Sequence, residues 1–330
     1  MHTRENALHQ WLKKNIGDAP FTLSNVAGDA SFRRYFRIHY GDSTRIIMDA
    51  PPDKETILPF IHIAKKLSAI GVHTPFIYAV EENQGFMLLE DLGDQLLLNT
   101  LTKDNSDLFY RQAMETLLKI QQSPLDDQNL PSFDEHHMQS ELALFREWFL
   151  QAYLNITLNE DEETLLEHTF KKLTAELAVL PKVLIHRDFH SRNLMVIDSN
   201  KGIGVLDFQD AMSGPIVYDL VSLLKDCYIQ WPREKVIEWL RFFYQQMPTQ
   251  DGLSLKEFTR AFDCCGLQRH LKVLGIFSRL YLRDNKDGYL RDLPLVMNYV
   301  NACLESYEEF HPFYQWMQER VCPLFAEKHP

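Results

Sequence analysis

The chain has 330 residues, 45% of them hydrophobic and 24% charged, a length and composition that bury a substantial core and exclude a fibrous repeat or long disorder. With 34 Lys and Arg against 46 Asp and Glu, the formal charge of -12 repels a phosphate backbone and excludes nucleic acid as an expected partner. No stretch approaches the roughly 20 apolar residues that span a bilayer, so the expectation is a cytoplasmic protein with no membrane partner.

Helical spacing of Leu8, Trp11 and Leu12 predicts an opening helix over 4–16. Strand-like runs follow over 21–27, 35–39 and 45–48, the last punctuated by Asp49-Ala50-Pro51-Pro52. A helix over 57–70 is stopped by Gly71, and Pro75 opens strands over 76–80 and 85–89. Three strands, one main helix and two strands describe a small antiparallel sheet that ends at the connector Glu90-Asp91-Leu92-Gly93.

After Gly93 helical periodicity dominates. Helices are predicted over 107–122, 138–154, 160–180, 218–228, 233–246, 255–282 and 293–307, with only two short strands, over 194–197 and 202–206. The expected fold class is α+β, with an N-terminal lobe over 1–92 and a mostly helical C-terminal lobe over 93–330 joined by a hinge. The cysteines at 227, 264, 265, 303 and 322 are odd in number and form no C-x-x-C pair, so buried, reduced thiols are expected rather than a disulfide framework or zinc site.

The stretch His186-Arg187-Asp188-Phe189-His190-Ser191-Arg192-Asn193 matches the kinase catalytic loop H-R-D-x-x-x-x-N at every specified position. Chance alone gives such a match in a chain this long about 0.002 times. A short apolar strand then delivers Asp207-Phe208, where a second metal-binding aspartate stands if loop and strand face one another. Phosphoryl transfer needs a carboxylate beside the acceptor hydroxyl, a task that suits Asp188, and hard oxygen ligands for Mg²⁺, which Asn193 and Asp207 supply. The bland alternative makes Asp188 a turn residue and Asp207 a solvated strand end. Asp219, in an apolar helix start, reads as a buried brace for the backbone of His186 and Arg187. Asp210 either contacts substrate or caps the following turn.

The sequence resembles the aminoglycoside phosphotransferase and choline kinase superfamily, and within it the bacterial N-acetylmuramate/N-acetylglucosamine 1-kinases of cell-wall recycling. The likeness covers nearly the whole chain. It rests on Gly28-Asp29-Ala30-Ser31-Phe32-Arg33-Arg34-Tyr35-Phe36-Arg37, Met48-Asp49-Ala50-Pro51-Pro52, Leu88-Leu89-Glu90-Asp91-Leu92-Gly93, the loop from His186 to Asn193, Leu206-Asp207-Phe208-Gln209-Asp210-Ala211 and Gly275-Ile276-Phe277-Ser278-Arg279-Leu280. It implies a protein-kinase-like two-lobe fold, ATP and Mg²⁺ as cofactors, and phosphorylation of the anomeric hydroxyl of N-acetylmuramate or N-acetylglucosamine. A monomer is expected.

The resemblance further implies that residues 28–34 cover the nucleotide phosphates, with Ser31, Phe32, Arg33 and Arg34 as candidates, and that Glu90 and Leu92 meet adenine through their backbones. Two departures stand out: Met48 occupies the place of the phosphate-pairing lysine, and Phe60 lies near the place of the helix glutamate. Either Arg33 or Arg34 restores the missing charge, or both are solvated strand residues. For the acceptor, the candidates are Asp210, Arg269 and two alternatives on the C-terminal helices. Arg279 or Arg283 holds the lactyl carboxylate of N-acetylmuramate, or these arginines pair with Asp284 or Asp287; Trp231 or Tyr228 stacks on the sugar.

Other classes stay open. A kinase of an aminoglycoside, choline or homoserine shares the loop, although arginines suit a cationic acceptor poorly. A protein kinase lacks support, because no A-P-E element follows and Gln209 replaces the glycine of D-F-G. A nucleotide-binding pseudokinase scaffold is motivated by Met48 and Phe60, and opposed by the complete set of Asp188, Asn193 and Asp207.

Overall fold

The computed structural model describes residues 2–17, 20–26, 32–125, 130–198, 202–248 and 252–329. Helix α1 (His2–Ile16) precedes strands β1 (Phe21–Asn25), β2 (Arg34–Tyr40) and β3 (Ser43–Asp49), helix α2 (Leu58–Ala69), strands β4 (Ile77–Glu81) and β5 (Phe86–Glu90), and a short α3 (Leu97–Thr100). The five strands pair antiparallel in the order β1-β2-β3-β5-β4. Alternation along the strands explains both faces of this sheet. On one face Ile38, Ile47, Phe86 and Leu88 pack with Leu8, Trp11 and Leu12 of α1. The intervening residues, Ile46, Met48, Met87 and Leu89, belong to the opposite face. The carboxylate of Asp49, fully buried at the end of β3, ties α1 to the sheet by accepting from Arg4 Nε at 2.9 Å and Arg34 Nε at 3.0 Å.

Beyond residue 100 come α4 (Ser106–Gln121), α5 (Glu135–Leu144) with a π-helical continuation over Phe145–Tyr153, α6 (Glu160–Ala178) and β6 (Lys182–Ile185). Then follow β7 (Leu194–Asp198), β8 (Gly202–Val205), β9 (Met212–Pro215), α7 (Tyr218–Leu224), α8 (Arg233–Gln246), α9 (Leu255–Asp284), α10 (Leu293–Ser306), α11 (His311–Trp316) and α12 (Cys322–Lys328). Capping boxes start two of the longer helices, Asn159 with Glu162 on α6 and Ser254 with Glu257 on α9. Gly275 of α9 meets the backbone at the end of α5, where a Cβ would lie 2.4 Å from Leu144 C and O. A side chain at this position would force the two helices apart.

The structure departs from the sequence expectations in three places. A further antiparallel pair exists, β6 with β9, in register Lys182↔Pro215 to Ile185↔Met212; four-residue strands, one written Met-Ser-Gly-Pro, carry too little alternation to be seen. The helix expected over 218–228 ends at Leu224, and helices continue past 307.

The chain divides into two compact units, residues 1–100 with 192–210, and residues 101–191 with 211–330. The β7–β8 hairpin belongs to the first because it is stitched to it: Val196 N–H donates to Gln95 O at 2.8 Å and Val205 N–H to His73 O at 2.9 Å. The chain therefore crosses between units after Thr100, Ser191 and Asp210, where a division at 92/93 has one crossing. Among the described residues no helix is long and apolar enough to cross a membrane.

Candidate active site

Within the first unit a cavity of about 500 Å³ is lined by Tyr35, Ile46 and Leu89 from the sheet, by the connector 90–94, and by Asn193, Asp207 and Phe208. Its size suits a small organic ligand such as a nucleotide. The connector is clipped from below by Arg37 of β2. That guanidinium reaches Asp91 through Nε at 2.7 Å and Nη2 at 3.0 Å, Asp94 through Nη1 at 2.8 Å, and Gly93 O at 3.1 Å. Burial alone would raise the Asp91 carboxyl, but hydrogen bonds from Arg37, Thr44 and the Gly93 amide hold it below the usual range. Glu90 and Leu92 both line the cavity. The Glu90 amide donates to Phe76 O at 2.8 Å and its carboxylate takes His73 and the Phe76 amide.

Ser31 lies outside the described residues. Phe32 is 65% exposed, with its amide donating to Glu55 Oε1 at 3.1 Å. Successive residues point to opposite sides of an extended chain, and the two arginines part accordingly. Arg33 turns to Glu55, Nε to Oε2 at 2.5 Å. Arg34 is held by Asp49 at the end of β3.

Antiparallel pairing of β7 with β8 sets Leu194 opposite Val205 and thereby brings the flanking Asn193 and Asp207 together. Leu206 N–H donates to Asn193 O at 2.9 Å, and the Asn193 amide nitrogen stands 3.5 Å from Asp207 Oδ2. Gln209 Nε2 donates to Asp207 Oδ1 at 2.7 Å. These two neutral amides orient the carboxylate without neutralising it. Asp207 has φ +60°, a left-handed conformation that Asp tolerates better than most residues. Among the described residues no cluster of three or more His, Cys, Asp or Glu is arranged for a metal. One carboxylate and one amide, both hard oxygen donors, nonetheless fit Mg²⁺, which keeps several waters and takes phosphate oxygens for the rest.

The second unit holds the first part of the motif, clamped at both ends. Asp219, fully buried in the first turn of α7, accepts from His186 N–H at 2.6 Å and Arg187 N–H at 2.9 Å, the brace expected from the sequence. It allows Arg187 its φ of +78°. Asp226, also buried, accepts from Ser191 N–H at 2.9 Å, Ser191 Oγ at 2.5 Å and Tyr228 N–H at 3.0 Å. Burial raises the Asp219 carboxyl from 3.8 to about 6, against His186 and the two amides, which lower it. In that interval the folded protein keeps a proton that the unfolded chain has lost, so stability from this group falls as pH rises through it. The urea midpoint of Asp219→Asn should therefore gain on that of the parent between about pH 4.5 and about pH 6.5; a constant difference would contradict the assignment.

Between the clamps stands Asp188, its side chain 43% exposed. Arg269 of α9, only 3% exposed, donates to Asp188 Oδ1 at 3.2 Å, to Arg187 O at 2.7 Å and to Tyr218 Oη at 3.4 Å. The desolvation that would raise the Asp188 carboxyl is outweighed by Arg269, Lys272, His190 and Arg187, which hold it well below the usual carboxylate range. Behind them Glu141 is the shared counter-ion, 2.8 Å from Lys272 Nζ and 2.7 Å from Arg187 Nη2. Arg269 is thus buried and bonded to the loop through Asp188 and the Arg187 carbonyl.

The remaining acceptor candidates are spread out. Tyr228 stands edge-on to His190, ring centroids 5.3 Å apart, and beside Phe277 at 6.2 Å. Trp231 instead donates to Tyr110 Oη at 2.8 Å and joins an aromatic group with Trp239. Arg283 is exposed and pairs with Asp284 at 2.8 and 2.9 Å, the solvated helix end held open above. Arg279 is half-buried, its charged form disfavoured by burial and by Arg283, and Asp210 is exposed. Sequence reasoning missed Asp226, Glu55 and the bond from Arg269 to Asp188. Each acts on a residue 22 or more positions away in the chain, and only the apolar setting of Asp226 between Leu224 and Cys227 offered a signal.

Residues 22–254 match the family described as the phosphotransferase enzyme family. The chain is 40% identical over 292 residues to a Pseudomonas putida protein named N-acetylmuramate/N-acetylglucosamine kinase, covering 87% of this chain and 85% of the relative. A Neisseria meningitidis protein of the same name is 36% identical over 96% of each chain. Among solved structures, the ADP-bound aminoglycoside phosphotransferase APH(2'')-Ib superposes with a TM-score of 0.63 at 15% identity, over 89% of this chain and 97% of that one. An ethanolamine kinase from Plasmodium vivax gives 0.66 at 12% identity, over 92% and 87%. The α+β, protein-kinase-like fold expected from the sequence is thereby established.

Proposed function

We infer from one established fact, that the chain belongs to the phosphotransferase enzyme family, that it phosphorylates the anomeric C1 hydroxyl of N-acetylmuramate or N-acetylglucosamine with ATP. The products are the sugar 1-phosphate and ADP. The name borne by the bacterial relatives supports the acceptor. The observation that carries the chemistry is Asp188, kept ionised by Arg269 and Lys272 on a loop braced by Asp219 and Asp226.

Asp188 accepts the proton of the C1 hydroxyl as that oxygen bonds to the γ-phosphorus, and the bond from γ-phosphorus to the β,γ-bridging oxygen breaks to release ADP. Arg269 fixes the carboxylate in one orientation, so little reorganisation accompanies the proton transfer. Asn193 and Asp207 would hold Mg²⁺, which supplies charge neutralisation across the β- and γ-phosphates. The cavity beside the 90–94 connector takes the base, with the Glu90 carbonyl and Leu92 amide as its partners. Tyr228, close to His190, offers its ring to the sugar, and Arg279 offers a cation to the lactyl carboxylate. Cytoplasmic residence and a monomeric state belong to the same proposal.

ADP release with Mg²⁺·ATP tests the acceptor class. N-acetylmuramate and N-acetylglucosamine should each give kcat/KM at least about tenfold above choline, homoserine and kanamycin. A cationic alcohol as the best substrate would overturn the assignment.

A further inference from the structure

In protein kinases a strand lysine pairs with a helix glutamate and grips the nucleotide phosphates. Here the corresponding side chains are engaged otherwise. Met48 is fully buried opposite Met87, and Phe60 packs on Phe208 with centroids 4.7 Å apart. A triphosphate still needs a fixed cation, because its charge in a site partly shielded from water is costly without one.

Of the cations of the same unit, Arg37 and Arg192 line the cavity, with Arg37 committed to Asp91 and Asp94, and Arg33 stands next to the lining residue Tyr35. Arg33 has a side chain only 12% exposed, with Nε 2.5 Å from Glu55 Oε2. The other oxygen of Glu55 accepts the Phe32 amide at 3.1 Å, so a single carboxylate fixes both the loop backbone and the guanidinium. Tyr35, which lines the cavity, hydrogen-bonds Arg33, and Tyr35, Glu55 and the cavity residue Asp207 all favour its charged form against burial. Arg34, its neighbour, is committed to Asp49 on the other side of the strand.

We propose that the Arg33–Glu55 ion pair replaces the missing lysine–glutamate pair: Arg33 holds phosphate oxygens of the nucleotide, and Glu55, from the segment before α2, holds Arg33. The guanidinium fork can engage two phosphate oxygens where an ammonium is a point charge. This rests on the nucleotide half of the function proposed above.

The test is isothermal titration of the full chain, in Mg²⁺, with ADP and with adenosine. Arg33→Met should weaken ADP about tenfold or more while adenosine stays within about twofold. Arg33→Lys should fall between, Glu55→Gln should shift ADP in the same direction by less, and Arg34→Met should lower the Tm yet leave the ADP-to-adenosine ratio unchanged. If Arg33→Met and Arg33→Lys leave ADP affinity intact, or weaken ADP and adenosine equally, the pair only fastens a loop and the proposal fails. If the parent protein binds neither ligand, the nucleotide reading itself falls and this proposal falls with it.

Discussion

Asp188→Asn should lower kcat by about 10²–10⁴-fold, the usual contribution of a positioned general base. Asparagine has the same shape and keeps an oxygen for the 3.2 Å bond from Arg269, so the fold and the KM for ATP should stay near those of the parent, while the Tm falls because the cations around the carboxylate lose its charge. What disappears is the ability to accept a proton. The acid limb of the kcat–pH profile that belongs to Asp188 should also lie below the ordinary carboxylate range, since Arg269, Lys272, His190 and Arg187 outweigh its desolvation. Steady-state kinetics beside a thermal melt checks both points. Turnover within about twofold of the parent would remove Asp188 from the chemistry.

Asp207→Asn should abolish the dependence of nucleotide affinity on magnesium. The amide tolerates the left-handed backbone at φ +60° and keeps one neutral oxygen for the 2.7 Å bond from Gln209, but it gives up the longer contact with Asn193 and withdraws the charged ligand that a hard cation needs. ADP titrations with and without Mg²⁺ should differ about tenfold or more in the parent and hardly at all in the variant, with kcat down by about 10²-fold or more. Adenosine, which brings no phosphate, should bind both proteins alike. A magnesium increment that survives the substitution would place the metal elsewhere.

The sheet of the first unit was legible because alternation over five to seven residues is a strong signal. Phe36, Ile38 and Ile47 declare one face and Ile46 and Met48 the other. The β6–β9 pair was not, since each strand has four residues and Gly214 is there for closeness, a Cβ lying 2.4 Å from Ile185 Cδ1. Long helices were legible to within a few residues, yet periodicity could not see the π-helical turn at Phe145–Tyr153, which keeps an apolar face while changing its pitch. At the site, the motif singled out Asp188, Asn193 and Asp207, because residue type and spacing are written locally. The brace by Asp219 was also readable, from a carboxylate set among apolar residues. The partners that tune these groups were not readable: Arg269 meets Asp188 across 81 positions, and Glu55 meets Arg33 across a turn and two strands. Pairings of that kind are properties of packing, which buries Arg269 against the loop and holds Arg34 on Asp49.

The account stands or falls on where the phosphate goes. Incubated with Mg²⁺·ATP and N-acetylmuramate or N-acetylglucosamine, the protein should produce a ³¹P resonance coupled to the anomeric proton of the sugar, growing in step with ADP and absent with Asp188→Asn. A phosphate on any other oxygen, or ADP formed with no sugar phosphate at all, would contradict it.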